Sequence, residues 1–452
     1  MVNKRINIKP STLFWLLLFA PLLATGTGLT LPELIYDSSE HFSDIESANL
    51  DGLLKRIADS RVVLLGESSH GTREFYDMRA RITKELIEKK GFNIIAVEAD
   101  WPDASRINFY IHDSDRGTRQ RPMYTNKPFA VFPQWMWLNH SVLDFTHWLK
   151  DYNRSIDSAD NAVGFYGIDI YNLFGSIEVV LDYLYRIEPG MADVARNHYR
   201  CLFPWANDPS QYGRALKAGK ARLCTNEVNA VLKDLLNKEA HFRLLDNQQY
   251  FYAVQNARLI INGERYFRTM PDDDTDSWNQ RDKNMFERLQ AILDHHGETS
   301  KAVVWAHNIH IGDSRTTDMS ERGEINLGQR VREAFGDKSY IIGFGTDHGK
   351  VAAAPRWGKP VEIQQVPPSH EDSYEYLFHQ VKADNFMLPL RHSEREILRK
   401  KLLPVRMERA IGVAYDPKNE LKKHYYDASL PRQFDEYIFF DETHAVKPLE
   451  KH

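Results

Sequence analysis

The stretch RVVLLGESSHGTREFYDMRARITKELIEKKG, residues 61–91, joins a short apolar run to a glycine turn and a long amphipathic segment. Its first residues, Arg61–Leu65, predict a strand buried on both faces, because such strands are short and almost continuously apolar. Arg73–Lys90 has the apolar spacing of a helix, and Gly91 stands where a helix would end. The next apolar run, Asn93–Val97, completes a strand–helix–strand unit and predicts a parallel sheet.

Further apolar runs extend this pattern along the chain. Ala162–Ile168, Lys301–Trp305 and Tyr340–Phe344 predict the third, fourth and fifth strands. The late runs Arg409–Ala414 and Glu436–Phe440 predict additional strands near an edge of the sheet. The expected fold class is therefore α/β, with a central, mostly parallel sheet flanked by helices.

The middle of the chain, about residues 173–297, lacks strong strand signals and predicts a helical insertion between the third and fourth strands. Its helical patterns cover Ile177–Ile187, Asn226–Glu239, Leu244–Arg265 and Trp278–His296. The acidic run PDDDTD, Pro271–Asp276, is expected to be a solvated turn before the last helix. It lacks the glycine and the later glutamate of the known calcium-binding loop.

Composition and charge limit the kinds of partner. The chain has 452 residues, enough for one large domain with insertions or for two domains. Its formal charge of −5 comes from 58 Lys and Arg against 63 Asp and Glu. This balance provides no basic patch for nucleic acid and favours a small-molecule substrate.

The N-terminus has the three-part layout of a secretory signal. Lys4, Arg5 and Lys9 precede an apolar run over Leu13–Ala24, and small residues follow up to Gly28. The run is short for a membrane span, which needs roughly 20 apolar residues. Residues 1–28 are therefore predicted to be a signal and residues 29–452 the exported domain, periplasmic or extracellular, with no stable membrane span. An uncleaved N-terminal anchor is the alternative.

The chain has two cysteines, Cys201 and Cys224. An even count in an exported chain is typical of a disulfide. Two free thiols are the alternative, since sequence does not establish the distance between the two Cβ atoms. The two cysteines do not have the spacing of a metal site.

Ionisable and polar residues follow each of the five main strands. They are Glu67 and His70, then Glu98, then Asp169, then His307 and His310, and finally Thr346, Asp347 and His348. In open α/β sheets, ligands bind outside the carboxyl ends of the strands. These residues are therefore expected to meet in one crevice.

The residue types in this group suit hydrolysis by activated water. A neutral histidine beside a carboxylate can take a proton from water, and the carboxylate then stabilises the imidazolium. Arg79, on the following helix, is expected either to bind substrate or to keep Glu98 ionised, the alternative being an exposed helix charge. Ser68 is a poor candidate nucleophile, because His70 stands where the G-x-S-x-G pattern requires glycine. The sequence has no P-loop and no dinucleotide fingerprint, and no cofactor is expected.

Several motifs together resemble the erythromycin esterase family. They are LLGESSHGTREFYDMRARI, IIAVEADWPDASRIN, FYGIDIYNL, RDKNMFERL, VVWAHNIHIGD and RQFDEYIFFDET, and the resemblance runs from about Leu53 to Leu449. The resemblance implies an α/β fold with a helical part and an active-site cleft between them. It also implies hydrolysis of an ester or lactone without a covalent serine intermediate, as in the family's macrolide-resistance members.

The resemblance also assigns roles to residues. It implies a general base at His70, its companion at Glu67, an arginine at Arg79, a glutamate at Glu98 and a histidine pair at His307 and His310. The aromatic segment Phe132–Trp137 matches a family segment as well, so Trp135 is expected to bind substrate, with helix packing as the alternative. Arg281 and Asp282 lie in another matching motif, but they are equally consistent with an exposed helix.

The sequence therefore predicts an exported hydrolase that cleaves an ester or lactone. His307 and His310 also permit a metal-dependent hydrolase, but their spacing differs from the H-E-x-x-H of helical zinc sites, and no bound metal is predicted. A binding protein that has lost turnover is the third interpretation.

Overall fold

The computed structural model describes residues 29–112, 134–156, 162–271, 274–391 and 396–449. The predicted signal, residues 1–28, lies outside the described residues, as do Phe132, Pro133 and part of the acidic run at Pro271–Asp276. Within the described ranges, no helix is both long enough and apolar enough to cross a membrane.

Eleven strands occur in the described part of the chain. They are β1 (Glu40–His41), β2 (Val62–Leu65), β3 (Ile94–Asp100), β4 (Gly164–Asp169), β5 (Ala302–Trp305), β6 (Ser339–Ala353), β7 (Glu362–Val366), β8 (Asn385–Pro389), β9 (Arg406–Arg409), β10 (Tyr425–Ala428) and β11 (Glu436–Thr443). Nine of these described strands form one sheet in the order β1-β8-β11-β6-β2-β5-β3-β4, with β7 paired to β6. The six strands from β11 to β4 are parallel, whereas β8, β1 and β7 are antiparallel to their neighbours.

The helices pack around this sheet. They are α1 (Leu31–Tyr36), α2 (Asp51–Ile57), α3 (Arg73–Lys90), α4 (Trp101–His112), α5 (Gln134–Trp137), α6 (His140–Ser155), α7 (Leu173–Ile187), α8 (Pro189–Tyr199), α9 (Gln211–Lys217), α10 (Thr225–Asn237), α11 (Glu239–Thr269), α12 (Asp274–His296), α13 (Asn308–Ile311), α14 (Leu327–Phe335), α15 (Tyr374–His379), α16 (Glu396–Leu402), α17 (Glu420–Lys423) and α18 (Leu430–Gln433). The mixed α/β architecture with a mostly parallel sheet confirms the predicted fold class.

The sheet separates two hydrophobic cores, and alternate side chains of the central strands enter one core or the other. In β2, Val63 and Leu65 join one core, and Val62 and Leu64 join the other. Because successive side chains of a strand point to opposite faces, a wholly apolar strand can serve both cores. This explains why the short run after Arg61 is almost continuously apolar.

The first predicted helix forms as expected. Helix α3 covers Arg73–Lys90, and Gly91 follows it in the left-handed conformation, with φ of 70°. Glycine adopts this conformation without the steric cost of a Cβ atom, so it ends the helix at the predicted residue.

The predicted helical insertion is also confirmed. Between β4 and β5 the described chain is helical, from α7 to α12, and this part has its own hydrophobic core. Cys201 and Cys224 are joined by a disulfide across this core, with their Cα atoms 6.0 Å apart. The bridge ties the segment after α8 to the start of α10.

Three strand predictions were wrong in detail. Residues 409–414 do not form one strand, because β9 ends at Arg409 and pairs with β10 in a separate ribbon. β11 is an interior strand, since β6 and β8 flank it. Its successive apolar side chains enter the two hydrophobic cores alternately. β6 continues from the predicted end at Phe344 to Ala353, because it pairs with β11 and then with β7.

Candidate active site

The loop after β2 places Glu67 and His70 against each other. Nδ1 of His70 lies 2.7 Å from Oε1 of Glu67, and both side chains are buried. Gly66 allows Asn308 to pack closely against the chain here, because a Cβ atom on residue 66 would lie 2.1 Å from Oδ1 of Asn308. The close approach of Asn308 therefore explains the glycine at the end of the strand.

Arg79 holds the other oxygen of Glu67. Its Nη2 lies 2.6 Å from Oε2 of Glu67, and its side chain is buried. The guanidinium also lies over the rings of Tyr76 and Trp305, at 4.4 and 5.0 Å from their centroids. Glu67 is thus clamped between a fixed cation and His70, so its orientation toward His70 is set before any ligand arrives.

The surroundings of His70 make it a stronger base than a free histidine. Burial opposes the charged form, but the hydrogen bond that His70 donates to Glu67 and the negative charges of Glu98 and Glu67 outweigh it and raise the pKa of His70. Nδ1 of His70 is hydrogen-bonded to Glu67, and Nε2 of His70 has no hydrogen-bond partner among the described residues. Nε2 is therefore the nitrogen that can exchange a proton with a ligand.

Arg281 contacts three further residues of the site, Asp169, Glu98 and His310. Its Nε lies 2.9 Å from Oδ1 of Asp169, and its Nη2 lies 2.7 Å from both Oδ2 of Asp169 and Oε1 of Glu98. Its Nη1 donates to Nε2 of His310 at 2.7 Å. A guanidinium has five N–H donors, and these contacts use four of them. One Nη1 donor remains for a ligand.

His310 is held in one orientation. Because Arg281 can only donate, Nε2 of His310 accepts, and Nδ1 carries the proton. Nδ1 lies 2.6 Å from Oδ1 of Asp282, whose pKa is raised by burial. Trp278 stacks on the imidazole with ring centroids 4.6 Å apart. Both nitrogens of His310 are thus occupied by protein groups.

Glu98 lies between His70 and Arg281 and stays ionised. Burial favours its neutral form, but the fixed positive charge of Arg281 opposes this effect, and the pKa of Glu98 is held well below the usual range. The backbone N–H of His307 also donates to its Oε2 at 2.8 Å. Glu98 therefore contributes a permanent negative charge beside His70.

His307 is a buried neutral histidine. Burial and the neighbouring His70 lower its pKa well below the usual value. Its ring meets that of His70 edge to face, with centroids 4.9 Å apart, and its Nε2 has no partner within the described part of the chain. Its position lets it support the ring of His70.

A cavity of about 190 Å³ opens onto this arrangement. Four of the predicted site residues line it: His70, Glu98, Asp169 and His310. Glu67 and Arg79 lie behind His70, and His307 lies beside it. The structure thus brings the predicted residues of four strand ends together around one cavity.

Other predicted residues lie elsewhere. Trp135 is half-buried and packs against a hydrophobic core, while its neighbour Met136 lines the cavity. Asp347 and His348 do not line the cavity. They lie inside β6, which continues to Ala353 instead of ending at Phe344. Ser68 is buried, and its carbonyl accepts from the backbone of Ile411.

The sequence left several site residues undecided or missed them. Arg281 and Asp282 were equally consistent with an exposed helix, yet Asp282 is buried and Arg281 is mostly buried, and both contact other residues of the site. Tyr171 and Trp278 also line the cavity, and the only signal for them is their closeness to predicted motifs. Asp100 lines it too, and burial together with the charges of Asp169 and Asp103 raises its pKa well above the usual value.

A parallel sheet with ionisable groups at its carboxyl edge is the architecture of an α/β enzyme. The comparison with protein families is more specific. The erythromycin esterase family model matches residues 87–443, and the chain belongs to this family. The match includes Glu98, Asp169, Arg281, His307 and His310, and it begins after Glu67, His70 and Arg79.

Two curated relatives carry hydrolase names. The chain is 24% identical over 322 residues to a putative hydrolase, YbfO, of Bacillus subtilis (strain 168), covering 67% of this chain and 68% of the relative. It is 23% identical over 342 residues to the erythromycin esterase type II of Escherichia coli, covering 72% of this chain and 79% of the relative. The family and these relatives support a hydrolase.

Solved structures share the fold. A Bacillus cereus protein has a TM-score of 0.77 at 20% identity, with 93% of this chain and 98% of that chain covered. A succinoglycan biosynthesis protein has a TM-score of 0.73 at 22% identity, covering 92% and 97%. A mutant of the erythromycin esterase EreC in its open conformation has a TM-score of 0.60 at 16% identity, covering 90% and 97%.

Proposed function

We propose that this protein is an exported hydrolase that uses His70 to activate water for attack on an ester or lactone. The observation that carries the proposal is the 2.7 Å contact between His70 Nδ1 and Glu67 Oε1, on a histidine that lines the cavity. A histidine oriented by a carboxylate and facing a cavity is the arrangement of a general base.

The geometry supports a direct attack by water. Glu67 accepts a hydrogen bond from Nδ1–H of His70, which leaves the lone pair on Nε2 to act as the base. Nε2 takes one proton from water, and the water oxygen bonds to the acyl carbon. Collapse of the tetrahedral intermediate breaks the carbon–oxygen bond, and His70 returns its proton to the leaving alcohol. Glu67 stabilises the imidazolium between these steps.

Arg281 is the group best placed to stabilise the oxyanion. Its guanidinium is a permanent cation, and one Nη1 donor remains after its contacts with Asp169, Glu98 and His310. Glu98 and Asp169 hold it rigidly, so little reorganisation is needed as charge develops. Removing one such donor typically costs about 10²–10³ in turnover.

The arrangement does not suit a metal at His307 and His310. Nε2 of His310 accepts from the guanidinium of Arg281, and Nδ1 of His310 donates to Asp282. A metal ion could bind His310 only by displacing one of these two partners. Of these two histidines, only His307 has a nitrogen, Nε2, without a partner among the described residues. Water activation by His70 needs no such rearrangement.

The substrate class rests on the family and its relatives. The Escherichia coli relative is named an erythromycin esterase, which makes macrolide lactones the first compounds to test. The exposed Trp357 lines the cavity together with Tyr171 and Trp278, which suits a substrate with a broad apolar surface. Export is supported by the signal-like residues 1–28 and by the disulfide, which is typical of oxidising compartments.

The decisive experiment is a panel of lactones, including erythromycin, and simple esters, tested with purified protein. Wild type, His70→Ala and the control His41→Ala are compared, since His41 is exposed and distant in sequence from the site. Hydrolysis by wild type and the control, with loss in His70→Ala, supports the proposal. Hydrolysis that persists in His70→Ala would rule out this base, and binding without turnover across the panel would favour a non-catalytic binding protein.

A further inference from the structure

Two aspartates and two histidines meet outside the catalytic cavity. Asp347 and His348 lie within β6, Asp441 lies in the neighbouring strand β11, and His379 ends helix α15. These four residues are called the β6–β11 cluster below. None of them lines the cavity beside His70, so the cluster needs its own explanation.

Asp347 is held through both of its carboxylate oxygens. Its Oδ1 accepts from the backbone N–H of Ser369 at 3.2 Å and from the Ser369 hydroxyl. Its Oδ2 points the other way, 2.9 Å from Nδ1 of His348 and 3.7 Å from Nδ1 of His379. Asp347 is buried. A buried carboxylate oxygen is thus presented to two imidazoles.

Asp441 completes the group from the next strand. Its Oδ1 lies 2.6 Å from Nδ1 of His379. The strands are in register, with Phe440 opposite Thr346 and Glu442 opposite His348, and the Asp441 N–H donates to Asp384 at 2.7 Å. One ligand-type atom from each of Asp347, His348 and Asp441 lies within 4.8 Å of the others. Backbone pairing therefore holds these three residues close together.

We propose that the β6–β11 cluster binds one divalent transition-metal ion, with Zn²⁺ the preferred ion. Asp347, His348 and Asp441 are the ligands, and His379 hydrogen-bonds to Asp441 as an outer partner. Carboxylate and imidazole ligands suit Zn²⁺, and ligating carboxylates are commonly held by further hydrogen bonds. Two carboxylates give the site a charge that a divalent ion neutralises.

The proposed ion would join β6 to β11, and through His379 to α15. His348, His379 and Asp441 are partly exposed, with 31%, 41% and 23% of their side chains accessible, so an ion can enter from solvent. Because only the folded chain would bind the ion, thermal stability should rise with the logarithm of the ion concentration once that concentration exceeds the dissociation constant. The site is separate from the proposed hydrolysis, and neither proposal depends on the other.

The test uses the full chain purified without a histidine tag and stripped with a chelator. Isothermal titration with Zn²⁺ should give one site per chain, and Co²⁺ should give a visible absorption band from protein-bound ion. Asp441→Asn and His348→Ala should each weaken Zn²⁺ binding at least ~10-fold and remove the band. Circular dichroism and melting of the stripped variants check that they fold.

Two controls locate the ion. His444→Ala removes another partly exposed histidine that contacts a carboxylate, with Nδ1 2.9 Å from Oε1 of Glu74, and should bind Zn²⁺ as wild type does. His307→Ala removes the active-site histidine whose Nε2 has no partner among the described residues, and it should also leave Zn²⁺ binding unchanged. Absence of Zn²⁺ binding by wild type overturns the proposal. So does unchanged binding in folded Asp441→Asn and His348→Ala, or loss in His307→Ala alone.

Discussion

Arg281 binds both carboxylate oxygens of Asp169, with Nε 2.9 Å from Oδ1 and Nη2 2.7 Å from Oδ2. Asp169 ends β4 and Arg281 lies in α12, so this bidentate pair fastens the helical insertion to the carboxyl edge of the sheet. Because the same guanidinium contacts Glu98 and His310, the pair also sets the shape of the proposed site.

We expect Arg281→Ala to lower the free energy of unfolding by about 3–5 kcal/mol, because it leaves Glu98 and Asp169 buried without their countercharge. Urea denaturation measures the change. The control is Arg243→Ala, which removes an exposed arginine 2.7 Å from the exposed Glu239 and should cost only about 0–1 kcal/mol. Equal losses in the two variants would mean that the Arg281 pair is no more than a surface ion pair.

We expect His70→Ala to reduce turnover at least ~10²-fold on any substrate the protein hydrolyses, since general acid–base catalysis typically contributes this much. The fold should survive, because His70 lies at a cavity and belongs to neither hydrophobic core. Steady-state kinetics and melting temperature are measured together. Unfolding of the variant would assign His70 a structural role, and near-normal kinetics would remove it from the mechanism.

The pH dependence should follow the raised pKa of His70. A general base works in its neutral form, so turnover should rise with pH and level off above a pKa higher than the ordinary ~6.5. Glu67→Gln removes the negative charge that supports this pKa, and the acid limb should move to lower pH. Its loss of turnover should be smaller than that of His70→Ala, since an amide oxygen can still accept from Nδ1.

The control for that pH shift is Glu74→Gln. Glu74 lies in the first turn of α3 and contacts His444 rather than His70, so the pH profile of Glu74→Gln should match that of wild type. An acid limb that stays in place in Glu67→Gln would show that Glu67 does not control the titration of His70.

We expect Cys201 and Cys224 to remain bridged in freshly isolated protein. The pair is 23 residues apart in sequence, and closing a loop of this length stabilises a fold by roughly 3 kcal/mol in the chain-entropy model. Non-reducing peptide mapping detects the bridge, and Cys201→Ser with Cys224→Ser should lower the melting temperature. Two alkylatable thiols before reduction would contradict the expectation.

We expect protein from the native host's envelope or medium to begin near Leu29, because residues 1–28 have the layout of a cleaved signal. Intact-mass measurement determines the first residue. A mature chain that still starts at Met1 or Val2 would show that the segment is retained.

The sequence by itself determined the features that depend on neighbouring residues. Apolar runs located the central strands, and 3.6-residue spacing with a terminal glycine placed α3 at Arg73–Lys90. Glu67 and His70 could be paired from sequence because they lie three residues apart in one turn after a strand. In a parallel sheet, moreover, the carboxyl ends of neighbouring strands lie along one edge, which brought Glu98, Asp169 and His310 to the same cavity.

Only the tertiary structure decided the contacts between distant segments. Arg281 meets Asp169 and Glu98 across 112 and 183 residues, and helical spacing alone does not say which face of α12 is buried. The length of β6 depends on its pairing with β11 and β7, which carried Asp347 and His348 past the cavity and toward Asp441 and His379. These outcomes depend on which strands and helices pack together, and local periodicity carries no information about that choice.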